Sequence, residues 1–207
     1  MYKRKLTKSA INNIHRFASF KNNSFVEVES TLEFEACFHF EFSKKITRFE
    51  SQPIGYEYKL GGKVRRYTPD FLIQFSSGEL MYYEIKPFNK TVGEEFLGEF
   101  QAKQLEAKHR GIKLGLITDR EIRINPLLNN LKILHRYASS DGRKNQAEEK
   151  ALSILRRYEK LTVASLIEKV GACYESMFPR IISLISQNVL TTNLGIPLNS
   201  QTVIWTS

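Results

Sequence analysis

Residues 67–86 read YTPDFLIQFSSGELMYYEIK, and the fold turns on how this stretch is read. Two apolar and aromatic runs, Lys63–Phe75 and Leu80–Ile85, flank the turn sequence Ser76-Ser77-Gly78. They predict neighbouring strands of one sheet. Pro69-Asp70 falls within the first run, and Glu84-Ile85-Lys86 closes the second. Side chains alternate along a strand, so Glu84 and Lys86 share a face and Ile85 takes the other. If Asp70 faces the same way, two carboxylates and an ammonium converge. Carboxylate oxygens suit Mg²⁺, which takes one or two of them and leaves the rest of its shell to water and phosphate. A cation there polarises a phosphate and acidifies water, and Lys86 can hold that water or steady the growing negative charge. The plainer alternative is a Glu–Lys pair on an exposed strand face. Against it, Phe71, Leu72, Ile73, Tyr82 and Tyr83 surround the charges, which places these strands centrally, where carboxylates need partners.

Upstream, Ser30 and Glu33 form a capping-box pattern that opens a helix over Ser30–Phe42, with Leu32, Ala36 and His39 at helical spacing. Glu33 either completes that cap or turns towards the sheet. Ile46–Glu50 is a short strand stopped by Pro53, and Tyr56–Leu60 returns through Gly61-Gly62, a dipeptide suited to a tight hairpin. Arg65 and Arg66, just before Asp70, either touch phosphate or form a solvated strand face. Downstream, Val92–His109 is a helix ended by Gly111, Lys113–Ile117 a buried strand, and Pro126–Tyr137 a second helix. Asp119, following the strand, reads as a helix cap. Residues 27–140 are thus expected to form a mixed α/β domain. Ser139-Ser140-Asp141-Gly142 marks a linker. Three helices (146–158, 163–170, 174–187) and two short strands (189–193, 202–205) then follow in winged-helix order over residues 146–207.

The 207 residues carry 31 Lys and Arg against 22 acids, a net charge of +9. That excess suits a polyanion, nucleic acid first. Residues 1–26 hold Lys3, Arg4, Lys5, Lys8, Arg16 and Lys21 and no acid, which reads as a basic arm able to bind DNA. With 42% hydrophobic residues, 14 Phe and 9 Tyr, the chain has material for a core, which excludes disorder over most of its length. No apolar run approaches the length of a membrane span. Two cysteines, Cys37 and Cys173, give neither a disulfide framework nor zinc-ligand spacing. The chain reads as intracellular.

Taken together, Pro69-Asp70 and Glu84-Ile85-Lys86, preceded by a helical Glu and followed by a helix and strand, resemble the restriction-endonuclease-like core, known as PD-(D/E)xK. More narrowly, four blocks in order resemble the TnsA family, the endonuclease subunits of heteromeric bacterial transposases. They are Ser30-Thr31-Leu32-Glu33, Tyr67-Thr68-Pro69-Asp70-Phe71, Ile85-Lys86-Pro87 and Ile117-Thr118-Asp119-Arg120-Glu121-Ile122. The resemblance implies Glu33, Asp70, Glu84 and Lys86 as catalytic residues. It implies Glu33, Asp70, Glu84 and the backbone at Ile85 as ligands for Mg²⁺, with Mn²⁺ as a substitute. The implied reaction is hydrolysis at the 5′ ends of transposon DNA, beside a TnsB-type transposase and a TnsC-type AAA+ regulator, in the bacterial cytoplasm. Two alternatives stay open: a stand-alone repair or restriction nuclease on the same core, and a non-catalytic winged-helix DNA-binding adaptor.

Overall fold

The computed structural model describes residues 14–138 and 146–207. Lys3, Arg4 and Lys5 lie outside the described residues, as does the expected linker Ser139–Gly142. The chain divides into two compact units, one ending at Arg123 and the other beginning at Ile124.

The first unit opens on a hairpin, β1 (His15–Ser19) and β2 (Ser24–Val28), paired antiparallel. The basic arm expected over residues 1–26 is therefore structured in its later part. Phe17 is buried in edge-on contact with Phe38, and Val26 and Val28 are buried with it. Lys21, assigned to the arm, instead closes a helix end: its Nζ lies 2.6 Å from the Phe40 carbonyl and 2.7 Å from that of Ser43. The helix is α1 (Thr31–Phe42), whose cap is Ser30, with its hydroxyl accepting from the Glu33 N–H at 3.1 Å.

Behind α1 lies a mixed four-stranded sheet. Its strands are β3 (Ile46–Ser51), β6 (Phe71–Phe75), β7 (Leu80–Lys86) and β8 (Lys113–Thr118), in the order β3-β6-β7-β8. The first two pairings are antiparallel, and β7 and β8 are parallel. A parallel pair needs a crossover, and α2 (Glu94–His109) supplies it. One face of the sheet presents Phe49, Phe71 and Ile73 to α1, where Phe40 packs edge-on against both Phe49 and Phe71. The other face carries Leu114 and Tyr82 into a cluster with Phe100 and Ala107 of α2.

Tyr56, Tyr58 and Tyr67 complete that cluster. They come from β4 (Tyr56–Leu60) and β5 (Lys63–Tyr67), a separate two-stranded ribbon. The single strand expected over Lys63–Phe75 is thus two strands in different sheets, broken at Thr68-Pro69-Asp70. Proline has no N–H for a ladder and disfavours continuation through a central strand, so the chain changes sheets there. Asp70 accordingly sits in the crossing and not within a strand. The arrangement, a mixed sheet flanked by helices, is restriction-endonuclease-like.

A four-residue helix, α3 (Asp119–Ile122), ends the first unit. The second contains α4 (Leu127–Tyr137), α5 (Gln146–Tyr158), β9 (Lys160–Thr162), α6 (Val163–Val170), α7 (Tyr174–Ser186), β10 (Leu190–Thr192) and β11 (Val203–Thr206). Helix α4, expected in the sheet domain, packs against α7 and belongs here. Its buried Leu131 and Leu134 join the apolar interior of this unit, which also holds Leu155, Leu166, Ile181 and Ile182. The strands form an antiparallel sheet in the order β10-β11-β9. Strand β9 is an addition to the two foreseen. Three residues are too few to show a period in sequence, and β9 exists only because β11 pairs with it. Among the described residues no helix is long and apolar enough to cross a membrane.

Candidate active site

The crossing from β5 to β6 and the end of β7 bring three of the expected side chains, Asp70, Glu84 and Lys86, to one end of the sheet. Asp70 leaves the ribbon, and its Oδ2 accepts the Ile85 N–H at 2.7 Å. One strand along, Glu84 and Lys86 project from the face covered by α2, as alternation requires. Lys86 Nζ lies 2.9 Å from Glu84 Oε1, and the Tyr67 hydroxyl donates to Glu84 Oε2. Glu84 is 4% exposed, so both oxygens are held by protein and not by water. Ile85 turns its side chain into the core at 5% exposure, and only its backbone faces Asp70.

Glu33 approaches from α1, which lies against the opposite face. Its carboxylate stays at the start of the helix without closing the reciprocal capping box: Oε1 accepts from the Ser30 hydroxyl at 2.7 Å and Oε2 from the Glu29 N–H at 3.2 Å, not from the Ser30 N–H. Both sequence readings of Glu33 thus have a physical basis, since it bonds the capping Ser30 and still contributes to the field at Asp70 and Lys86.

That field is the main electrostatic feature of the site. Asp70 has its carboxyl raised well above the ordinary range, first by burial, then by the charges of Glu84 and Glu33. Glu33 is also raised, again chiefly by burial. For Lys86 burial works against the charged form, yet Glu84 at hydrogen-bond distance, with Asp70 and Glu33 behind it, raises its pKa overall. A cluster of acids that pushes up its own proton affinity is one that a cation would relieve.

The donor set fits a hard divalent ion in chemistry: Asp70 and Glu84 offer carboxylate oxygens, and the Ile85 backbone stands beside them. It is not a preassembled cage. Among the described residues no three His, Cys, Asp or Glu side chains stand close enough together to hold a metal ion, because Glu33 is turned onto its cap and Glu84 onto Tyr67 and Lys86. Next to Asp70, Gln52 holds a left-handed backbone (φ 47°) and donates its N–H to the Asp70 carbonyl at 2.9 Å. Its Oε1 is the one buried side-chain polar atom without a hydrogen-bond partner among the described residues.

Sequence reasoning missed three supports of this site. Tyr67 is the first. Lys103 is the second: nearly buried on α2, it places Nζ 4.3 Å over the Tyr67 ring and 2.9 Å from Glu99, which accepts from the Tyr58 hydroxyl. Asp119 is the third. Thr118, not Asp119, caps α3, and Asp119 Oδ1 instead accepts the Phe88 N–H at 2.6 Å, pinning the chain just beyond Lys86. Arg65 and Arg66 are exposed on the ribbon, Arg65 4.0 Å from Glu99 and Arg66 3.4 Å from Glu57.

Residues 43–119 match the family of TnsA-like endonuclease N-terminal domains. The match runs from the end of α1 to the start of α3 and contains Asp70, Glu84 and Lys86. No curated protein gives a significant match. Over those residues the chain is similar to TnsA-like endonuclease domains, as the sequence blocks led us to expect.

Proposed function

We propose that this chain is the strand-cleaving subunit of a heteromeric transposase, hydrolysing phosphodiester bonds at the 5′ ends of the element with Mg²⁺, or Mn²⁺ in its place. The observation that carries this is the meeting of Asp70, Glu84 and Lys86 at one sheet end inside a TnsA-like domain. A divalent cation supplies charge that polarises the scissile phosphate and lowers the pKa of attacking water. Asp70 and Glu84 would hold it, with the Ile85 backbone and, after turning from its cap, Glu33. Lys86 keeps its proton, because Glu84 stands 2.9 Å away, and its ammonium is set to stabilise negative charge growing on the phosphate oxygens. Tyr67 and Ile85 fix the two carboxylates so that little reorganisation is needed at the moment of reaction.

Three further assignments belong to this proposal. Duplex DNA at the transposon ends is the substrate, with Arg65, Arg66 and the N-terminal Lys3, Arg4 and Lys5 as contacts. A TnsB-type transposase acts on the other strand. A TnsC-type AAA+ regulator docks on the C-terminal unit, whose helix–strand–helix–helix–strand–strand order from α5 onward supports a winged-helix assignment. The test is strand-specific cleavage of end-bearing duplex by the chain together with its transposase partner. Cleavage at the 5′ ends that needs Mg²⁺ or Mn²⁺ and is lost in Asp70→Ala is the expected result. Cleavage by the chain alone, at any sequence, would move it to the stand-alone nucleases. Normal cleavage by Asp70→Ala would refute the site.

A further inference from the structure

The ribbon β4–β5 has two unlike faces. Cross-strand partners share a face, and the register pairs Tyr58 with Arg65 and Tyr56 with Tyr67 on one side, and Glu57 with Arg66 and Lys59 with Val64 on the other. The tyrosine side is fastened to α2: the Tyr56 hydroxyl donates to the Lys103 carbonyl at 3.0 Å, the Tyr58 hydroxyl to Glu99 at 2.8 Å, and Lys103 lies over the Tyr67 ring. The opposite side faces solvent. Lys59, Val64 and Arg66 are all exposed, Val64 at 60%, and Lys63 stands beside the Gly61-Gly62 turn, whose positive φ values (55° and 75°) close the hairpin tightly. From Lys59 to Arg66 there are four cations and no acid. Glu57 meets Arg66 only in an exposed pair, which water weakens and a phosphate can replace.

Place matters as much as charge. The last residue of the ribbon, Tyr67, donates to Glu84, and three residues on is Asp70. A basic ribbon thus starts at the candidate active site and runs out from it along α2, with its outer face exposed. An antiparallel two-stranded ribbon is one of the two shapes that B-DNA's major groove admits.

We propose that the outer face of this ribbon, with Lys59, Val64 and Arg66 and with Lys63 at its tip, seats in the major groove of duplex DNA next to the phosphate being cut. The inference rests on the nuclease reading above and refines it. Lys59 and Arg66 face the groove, while Lys63 and Arg65 lie on the tyrosine side of the register, Lys63 at the tip and Arg65 at the edge 4.0 Å from Glu99, where both reach flanking phosphates.

The test is equilibrium binding of the full chain to a duplex in EDTA, so that no strand is cut, over a range of salt concentrations. Each lysine facing phosphate removes about one unit from the slope of log affinity against log salt. Lys59→Gln with Lys63→Gln is expected to lower the slope by about two and to weaken binding about tenfold at low salt. The control is Lys44→Gln with Lys45→Gln. These exposed residues have the same charge but precede Ile46, which pairs with Phe75 at the far end of β6 from Asp70, and binding is expected to hold. Glucosylated 5-hydroxymethylcytosine, which fills the major groove, is expected to weaken the wild type and leave the ribbon variant unaffected. Equal losses in the two double variants, or indifference to glucosylation, would overturn the ribbon assignment alone. Failure of the wild type to bind any duplex would overturn it together with the nuclease reading. Binding through the ribbon without cleavage under Mn²⁺ and transposase would leave the ribbon standing and refute the nuclease reading.

Discussion

The Tyr67 hydroxyl donates to the Glu84 carboxylate across seventeen residues of sequence, from the base of the ribbon to the end of the central strand β7. Glu84 carries the lysine that the site depends on, so Tyr67 sets the position of Lys86 at one remove. Tyr67→Phe keeps the ring and its packing against Tyr56 and Lys103 but frees Oε2. Single-turnover cleavage is expected to slow about tenfold, near 1.4 kcal/mol, with DNA affinity unchanged. A rate equal to wild type would mean that Lys86 alone holds Glu84.

Asp70 carries the pH prediction. Its folded-state pKa is raised above its unfolded value, so the folded protein favours the neutral acid. Ionisation then costs stability as pH climbs from the unfolded pKa towards the folded one, and the cost is complete above it. Asp70→Asn removes that cost. Its melting temperature at neutral pH is expected to exceed that of the wild type by roughly 2–4 °C, the effect of about 1 kcal/mol in a protein of this size. The gap should close on acidification. Mn²⁺ should raise the wild-type melting temperature and not that of the variant. Cleavage should vanish in the variant while DNA binding persists. Thermal melts across pH, with and without Mn²⁺, check all but the last.

Lys86→Ala removes the charge aimed at the phosphate and leaves Glu84 held by Tyr67. The chemical step should fall on the order of 10²–10³-fold, the usual loss of a well-placed charge-stabilising donor, with much less effect on DNA affinity. Comparison of single-turnover rates with equilibrium binding separates the two. A loss confined to binding would make Lys86 a DNA anchor.

Lys21 tests the correction at the N-terminus. Its ammonium bonds two carbonyls at the end of α1 and faces the buried Glu41, which also accepts from the Ser19 hydroxyl and the Lys21 N–H. Lys21→Met should destabilise the sheet-bearing unit by about 2 kcal/mol, since hydrogen bonds from a charged donor are lost, and should leave the DNA salt slope unchanged. Denaturant melts and salt titration read the two. A lowered slope with intact stability would return Lys21 to a DNA-binding arm.

In the C-terminal unit the buried Asn130 serves three backbone groups. Its amide nitrogen donates to the Leu194 and Ile196 carbonyls, and its Oδ1 accepts the Leu198 N–H. Asn130→Ala leaves all three without that partner and is expected to cost about 2–4 kcal/mol. Hydrogen exchange should show the loop at residues 193–199 opening before the helices do.

Several features were settled by sequence alone, and each is local. The Ser30–Glu33 cap, the Gly61-Gly62 turn and the shared face of Glu84 and Lys86 depend on contacts within a few residues, where backbone geometry leaves little choice. Most of the helices and strands from Ser30 onward followed from period and punctuation for the same reason, the exceptions being the split at Pro69, α3 and β9. What only the tertiary structure decided involves distant partners. The ribbon left the main sheet at Pro69, a break that one long apolar run concealed. The residues before Ser30 became a hairpin because α1 offered Phe17 and Val26 a place to pack, which their own short, basic sequence does not announce. Tyr67, Lys103 and Asp119 became supports of the site through contacts 17 to 36 residues away in the chain. A tyrosine or lysine in sequence carries no mark of which buried carboxylate will need it. Only folding, by excluding water from Glu84, creates that need and selects the partners that meet it.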